Sequence, residues 1–467
     1  MASHRVAGAP LDFAALRDEL EVPGDFAAPV LAEAQERAAN PTLPVADATD
    51  IPFVTIDPAG SRDLDQALHI ERRGTGYRVH YAIADVAAFV RPGSLLEAEA
   101  RRRGETFYFP DTRVPLHPPS LSENAASLLP DQVRPAVLWQ IDLEASGMVA
   151  GFDVRRARVR SRAQLDYVGV QQQLDSAAAP DAFVLLREVG ERLLAIARAN
   201  HAIDLDLPEQ EVIADGDGAW TLTVRQPLPV EAFNAQLSIL TGRCAAQLML
   251  QHRVGLLRTV PAPDTGAIGA LRRAAKALHI DWPHGAAPGD VLASVDRADP
   301  HRVAFIEHAA SLLRGAGYVA FDGSLPEQTM HAGIGAPYAH VTAPLRRLVD
   351  RYATEVSLSL HAGVPVPSWT LSQLPQLPGI MRQADALAHA VDRAVVDMTE
   401  ACLLQNRIGE TFAATVIDAD DHAATIMLDD PAVRARCSGA GLESGSRISA
   451  RLDTADVAAR QVHFVAA

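Results

Sequence analysis

Residues 55–66 read "TIDPAGSRDLDQ", a short stretch that gathers Asp57, Asp63 and Asp65 and closes on the amide Gln66. Like charges crowded on a short loop repel. Such a cluster is retained where water screens it, where backbone N–H groups satisfy it, or where a cation neutralises it. The stretch therefore reads either as a solvated turn or as a metal site. A calcium loop of the EF-hand kind is excluded, because from Asp63 the pattern would need an oxygen donor at Ala67 and a glutamate at Gly74. A magnesium-type site remains, in which a few carboxylates share the ion with water and phosphate.

The chain around it has 467 residues, 48% of them hydrophobic, which predicts two or three globular domains. No apolar run approaches ~18 residues and the N-terminus carries no signal pattern, so a soluble, cytoplasmic protein without membrane contact is expected. Cys244, Cys402 and Cys437 are widely scattered, which excludes a disulfide framework and a structural zinc site. A net charge of −16 argues against a nucleic-acid partner on bulk electrostatics. It is a weak veto, since a catalytic channel can be basic inside an acidic shell.

Residues 1–45 carry two helical patterns, "LDFAALRDEL" and "FAAPVLAEAQERAA", before a linker at "NPTLP"; a helical cap and a reduced helix-turn-helix both fit. From "IPFVTID" the pattern turns to strands. "YRVHYAIADVAAFV" follows a hairpin turn at "RRGTG", and a further strand pair runs through "AVLWQIDLEASGMVAGFDVRRARVRSR". Helices dominate from about residue 180 to 400, interrupted by a "DGDG" hairpin near Trp220. The helical stretch "MRQADALAHAVDRAVVDMTEACLLQNRI" then leads into five short strands that predict a small OB-type barrel.

Several motifs occur in a fixed order: "TIDPAGSRDLDQAL", "YAIADV", "FYFPDTRVPLHPPSLSENAASLLP", "RSRAQLDYVGV" and "YAHVTAPLRRLVDRY". Together, over roughly residues 50–355, they resemble the RNase II (RNB) family of exoribonucleases, in a compact form lacking N-terminal cold-shock domains. The resemblance implies an α+β fold: a helical segment (1–45), an RNB catalytic domain (46–380), a connecting helix (381–408) and a C-terminal OB-type RNA-binding barrel (409–467). It also implies a magnesium-dependent, processive, 3′→5′ hydrolytic exoribonuclease that acts on single-stranded RNA and releases nucleoside 5′-monophosphates. The cofactor would be one or two Mg²⁺ ions, with Mn²⁺ as the alternative, and the protein is expected to work as a monomer without an obligate protein partner.

By the same resemblance Asp57, Asp63 and Asp65 match metal-binding aspartates, with Asp65 also orienting the attacking water. Gln66 stands where the family usually has a fourth aspartate; it either lends an amide oxygen to the metal or only hydrogen-bonds the loop. Arg346 matches the arginine at the scissile phosphate, and Pro344 is expected in a first helical turn whose N–H groups form an anion site. Arg347 is left between phosphate contact and surface pairing. Tyr108 and Tyr167 match aromatics that stack on the 3′-terminal bases, while Leu205 replaces a third. Gln236 stands where relatives carry a glutamate at the terminal ribose, and Tyr338 and Thr342 belong to the RNA-contacting motif.

Arg156, Arg158, Arg160 and Arg162 alternate along one strand and would share a face, either as a phosphate track or as a solvated edge. No histidine is given a catalytic role. Two other functions compete with the nuclease: an RNB-fold RNA-binding protein that has lost hydrolysis, and a phosphodiesterase for small nucleotides. The survival of Asp57, Asp63, Asp65 and Arg346 together favours hydrolysis.

Overall fold

The strand that delivers Asp57 opens a closed five-stranded barrel: β1 (Phe53–Asp57), β2 (Gln66–Arg73), β3 (Gly76–Ala84), β4 (Val133–Leu143) and β5 (Val149–Asp166). The computed structural model describes residues 3–5, 11–176, 179–205, 209–214, 220–295, 305–306, 308–419, 423–431 and 433–467. Successive strands pair antiparallel, and a parallel pairing of β1 with β5, Asp57 opposite Asp166, closes the cylinder. The turn expected at "RRGTG" joins β2 to β3, with Arg73 opposite Gly76 and Gly74 at φ 58°, a left-handed conformation that glycine adopts without a Cβ clash. Tyr77, Tyr81 and Trp139 are wholly or almost wholly buried where the barrel packs against helices, in one cluster with Leu186, Leu237 and Tyr352.

Two helices hold the barrel against the segment that carries Arg346. Pro229–His252 begins with proline in its first turn and a Glu231 carboxylate that accepts the Leu228 N–H. Its Gly242 lies under Tyr338, and a Cβ there would come 2.2 Å from the ring. Gly242→Ala is accordingly expected to destabilise the protein by about 1–3 kcal/mol through overpacking, read as a lower urea midpoint at unchanged slope. The second helix, Leu348–His361, is fastened through a buried network in which Arg351 and Tyr352 both donate to Glu97, at 2.7 and 2.9 Å. Removing one charge from such a pair leaves the other buried and unpaired, which is why the helix start is rigidly placed.

The two N-terminal helices form as read, Phe13–Glu19 and Ala28–Ala39, and join different cores. Phe13 and Leu16 pack with Val391 and Val395 of the long helix Leu377–Leu404, whereas Val30 and Ala34 pack with Phe53 and Phe89 at the first barrel. A short strand not expected from sequence, Ser3–Arg5, pairs with Trp220–Arg225, which itself pairs with Glu209–Ala214. The expected "DGDG" turn lies outside the described residues.

The long helix leads into a second closed barrel, whose strands Thr411–Ala419, Ala423–Leu428, Arg434–Ser438, Arg447–Asp456 and Gln461–Ala466 match the five expected ones. Its third and fifth strands run parallel and adjacent, with Arg436 opposite His463, which is the OB arrangement. Phe412 and Phe464 meet edge to face at 5.7 Å in its core. Among the described residues no helix is long and apolar enough to cross a membrane.

Candidate active site

The loop between β1 and β2 is anchored by what lies between its carboxylates. Leu64 is wholly buried, its N–H donates to Ser127 Oγ at 3.0 Å, and that hydroxyl donates to the Arg62 carbonyl at 2.6 Å. With Leu64 driven inward, its neighbours Asp63 and Asp65 are fixed beside the end of β1. Asp57, Asp63, Asp65, Gln66, Tyr108, Tyr167 and Arg346 consequently line one cavity of about 700 Å³.

Each carboxylate has a different environment. Asp65 is 3% exposed; it accepts the Leu345 N–H at 2.8 Å and Arg346 Nε at 3.2 Å. Burial pushes it up to about 7 despite those donors, with Asp350 and Asp63 adding to the rise. Burial likewise pushes Asp57 up to about 6, opposed by Arg346 and reinforced by Asp63. One oxygen of Asp57, Oδ2, is buried without a hydrogen-bond partner. Asp63 accepts from Arg113 at 2.6 Å and from the Tyr108 hydroxyl at 3.3 Å. Among the described residues no three acidic, imidazole or thiol groups converge closely enough to enclose a metal ion.

The segment around Arg346 departs from the expected geometry. Helix Leu348–His361 begins after both arginines, so Pro344 lies in a preceding turn and the Leu345 N–H faces Asp65 instead of an open anion site. Arg346 keeps its side chain 44% exposed toward the cavity. Arg347 instead forms a bidentate pair with Asp350, both bonds 2.9 Å, and Asp350 is wholly buried. Burial of its partner distinguishes this from a surface pairing.

Other expected residues lie away from the cavity wall. Tyr338 and Thr342 are buried, the former edge-on to His331 and His340 at 5.8 and 5.3 Å. Gln236 is buried in its helix, and Leu205 packs against the cluster of Ile203, Leu271 and Phe305. Tyr108 and Tyr167, by contrast, do line the cavity; Tyr108 is 49% exposed, and Tyr167 receives a hydrogen bond from Asn234 at 3.2 Å. Burial pushes His117 down to about 3 and His331 to about 4, so both are neutral near pH 7, and among the described residues no histidine lines the cavity.

Arginines 156, 158, 160 and 162 do share the outer face of β5, between inward-facing Ala157, Val159 and Ser161. Two of them are paired with acids: Arg156 with Asp85 and Glu355, Arg158 with Asp47. Residues that sequence reasoning passed over include Arg113, Glu231 and Asn234. Glu231, Asn234 and Ser238 fall at i, i+3 and i+7, on one face of their helix, which was the available signal.

The RNB domain sequence pattern matches residues 45–356. The chain belongs to the RNB family. A second pattern, the RNase II-type exonuclease C-terminal S1 domain, matches residues 410–467 and thus covers the second barrel. Ribonuclease R of Escherichia coli K12 is 28% identical over 416 residues, 82% of this chain and 50% of that protein, so this RNB chain spans about half the length of the curated relative. Its fold resembles Mycoplasma genitalium RNase R in complex with ribose-methylated single-stranded RNA, at TM-score 0.86 and 19% identity over 97% of this chain and 77% of that one. It also resembles yeast Ssd1, described as a pseudonuclease, at TM-score 0.69 and 15% identity over 85% and 52%. The RNB fold therefore accommodates both a ribonuclease and a pseudonuclease, and function must be argued from the site.

Proposed function

We propose that the protein is a magnesium-dependent, processive 3′→5′ exoribonuclease that hydrolyses single-stranded RNA to nucleoside 5′-monophosphates. The observation that carries this reading is the buried, unpartnered Oδ2 of Asp57 in a cavity shared with Asp63, Asp65 and Arg346. A carboxylate oxygen buried without a donor is costly, and a divalent cation is the partner that would offset it. The donor set fits a hard, oxygen-seeking ion: Asp57, Asp63 and Asp65 would hold one or two Mg²⁺, or Mn²⁺ in its place. When bound, the metal supplies an activated water and offsets charge on the phosphoryl oxygens.

The chain's own residues do the rest. Arg346 offers a permanent charge and planar donors to the phosphoryl group as negative charge builds there. Tyr108 presents an exposed ring on which any base can stack, which grips RNA without reading sequence. The C-terminal barrel is read as a further RNA-binding surface.

The competing reading, an RNA-binding protein without hydrolysis, draws on the absence of three converging ligands among the described residues and on the departure at Gln66. Digestion of a 5′-labelled, ~30-nucleotide single strand with Mg²⁺, beside a blunt duplex, separates the two. The nuclease is expected to reduce the single strand to a short limit product and to spare the duplex. RNA that is bound tightly and left intact would establish the binding protein instead.

A further inference from the structure

Gln66, the amide that follows Asp65, is engaged at both of its ends. Gln66 Nε2 donates to the Thr342 carbonyl at 2.7 Å. A carbonyl oxygen only accepts, so the amide must turn its NH₂ that way and its oxygen the other. That oxygen accepts from the Tyr81 hydroxyl at 2.7 Å, with Ser238 Oγ at 3.3 Å, and the two hydroxyls themselves lie 2.8 Å apart. The two hydroxyls carry one proton each, so Ser238 donates to Tyr81 and Tyr81 donates to the amide oxygen, which is thereby held by a group that cannot easily leave: Tyr81 is wholly buried.

We infer that Gln66, Tyr81 and Ser238 form an uncharged strut that positions Asp65 against Arg346, and that Gln66 is not a ligand of the cation. The inference deepens the proposed hydrolytic reading and rests on it for its kinetic part. The strut joins four separate pieces of chain: the first residue of β2, the middle of β3, helix Pro229–His252 and the turn ahead of Arg346. Asp65 adjoins Gln66 at one end. At the other, Leu345 and Arg346, the two donors to Asp65, lie just downstream of Thr342. Anything that loosens Gln66 from Thr342 lets the catalytic arginine drift from the carboxylate it opposes, and a small misplacement there is costly in rate.

The chemistry at the far end also explains why an amide suits this position. A carboxylate at residue 66 would turn one negative oxygen toward the Thr342 carbonyl, which has no proton to offer. The amide satisfies the carbonyl and the Tyr81 hydroxyl at once without adding charge next to Asp57, Asp63 and Asp65. Cation binding is thereby left to those three aspartates.

The test uses the full chain and two readouts: Mn²⁺ binding by electron paramagnetic resonance without RNA, and steady-state hydrolysis of single-stranded RNA with Mg²⁺. The variants are Gln66→Leu, Tyr81→Phe and their combination. The strut predicts a Mn²⁺ dissociation constant within about threefold of the wild type in all three, kcat lowered about tenfold or more in Gln66→Leu, and KM little changed. Because Tyr81 acts through Gln66, the double variant should be no slower than Gln66→Leu alone. Tyr81→Phe removes a single hydroxyl, so it carries the test if Gln66→Leu fails to fold, with lowered kcat and unchanged Mn²⁺ affinity expected. Mn²⁺ binding weakened about tenfold by Gln66→Leu, losses that multiply in the double variant, or an unchanged kcat would each overturn the strut. A wild type that hydrolyses no RNA would instead sink the nuclease reading, while the Mn²⁺ arm would still decide whether Gln66 is a ligand.

Discussion

Asp65→Asn is expected to lower RNA hydrolysis by roughly 10³-fold while leaving the fold and RNA binding intact. The substitution keeps an oxygen where the Leu345 N–H donates and removes the charge that faces Arg346. Stability should not suffer. Burial already pushes the Asp65 carboxyl up to about 7, so its ionised form is disfavoured in the folded protein, and a neutral isostere removes that buried charge. Turnover is the quantity that collapses, because Asp65 is the deepest of the three proposed cation ligands and the one tied to the arginine. The comparison to make is single-turnover hydrolysis with Mg²⁺ beside a gel-shift titration in its absence. An Asn variant that cuts RNA within about tenfold of the wild type would remove Asp65 from the chemistry.

That prediction could be framed from the sequence because the residues concerned are local. Asp57, Asp63 and Asp65 sit on one loop, and clustered carboxylates announce themselves by spacing. Alternation likewise placed Arg156, Arg158, Arg160 and Arg162 on one face, and short strands with polar turns outlined the whole second barrel. What spacing cannot give is the partner across the fold. Arg156 meets Asp85 and Glu355, which lie far away along the chain, so its role as an internal ion-pair residue was invisible in a run that reads equally well as a phosphate track. The same holds for Gln66, whose three partners come from β3, a distant helix and the turn before Arg346. Arg347 marks the intermediate case. Its partner Asp350 is one helical turn away and legible as an i, i+3 pair, but only the packing of the helix shows that the pair is buried.

The turn at Pro344 shows how one local misjudgement of backbone alters a chemical reading. Proline is favoured in a first helical turn, which would leave N–H groups free for an anion. Here the helix starts only at Leu348, and the Leu345 N–H donates to Asp65. Anion recognition at this end of the cavity then falls to the Arg346 side chain, which raises the expected effect of removing it. Arg346→Ala should lower kcat roughly 10²- to 10³-fold. Arg346→Lys should recover little, since an ammonium offers a point charge and lacks the Nε that contacts Asp65. The division between kcat and KM decides what the arginine does. A group that acts on charge developing in the transition state lowers kcat and leaves KM for RNA within about threefold, whereas a group that only grips the phosphate raises KM at constant kcat. The first outcome is expected, because the guanidinium is already fixed by Asp65 before RNA arrives, and a fixed donor is worth most to the charge that appears last.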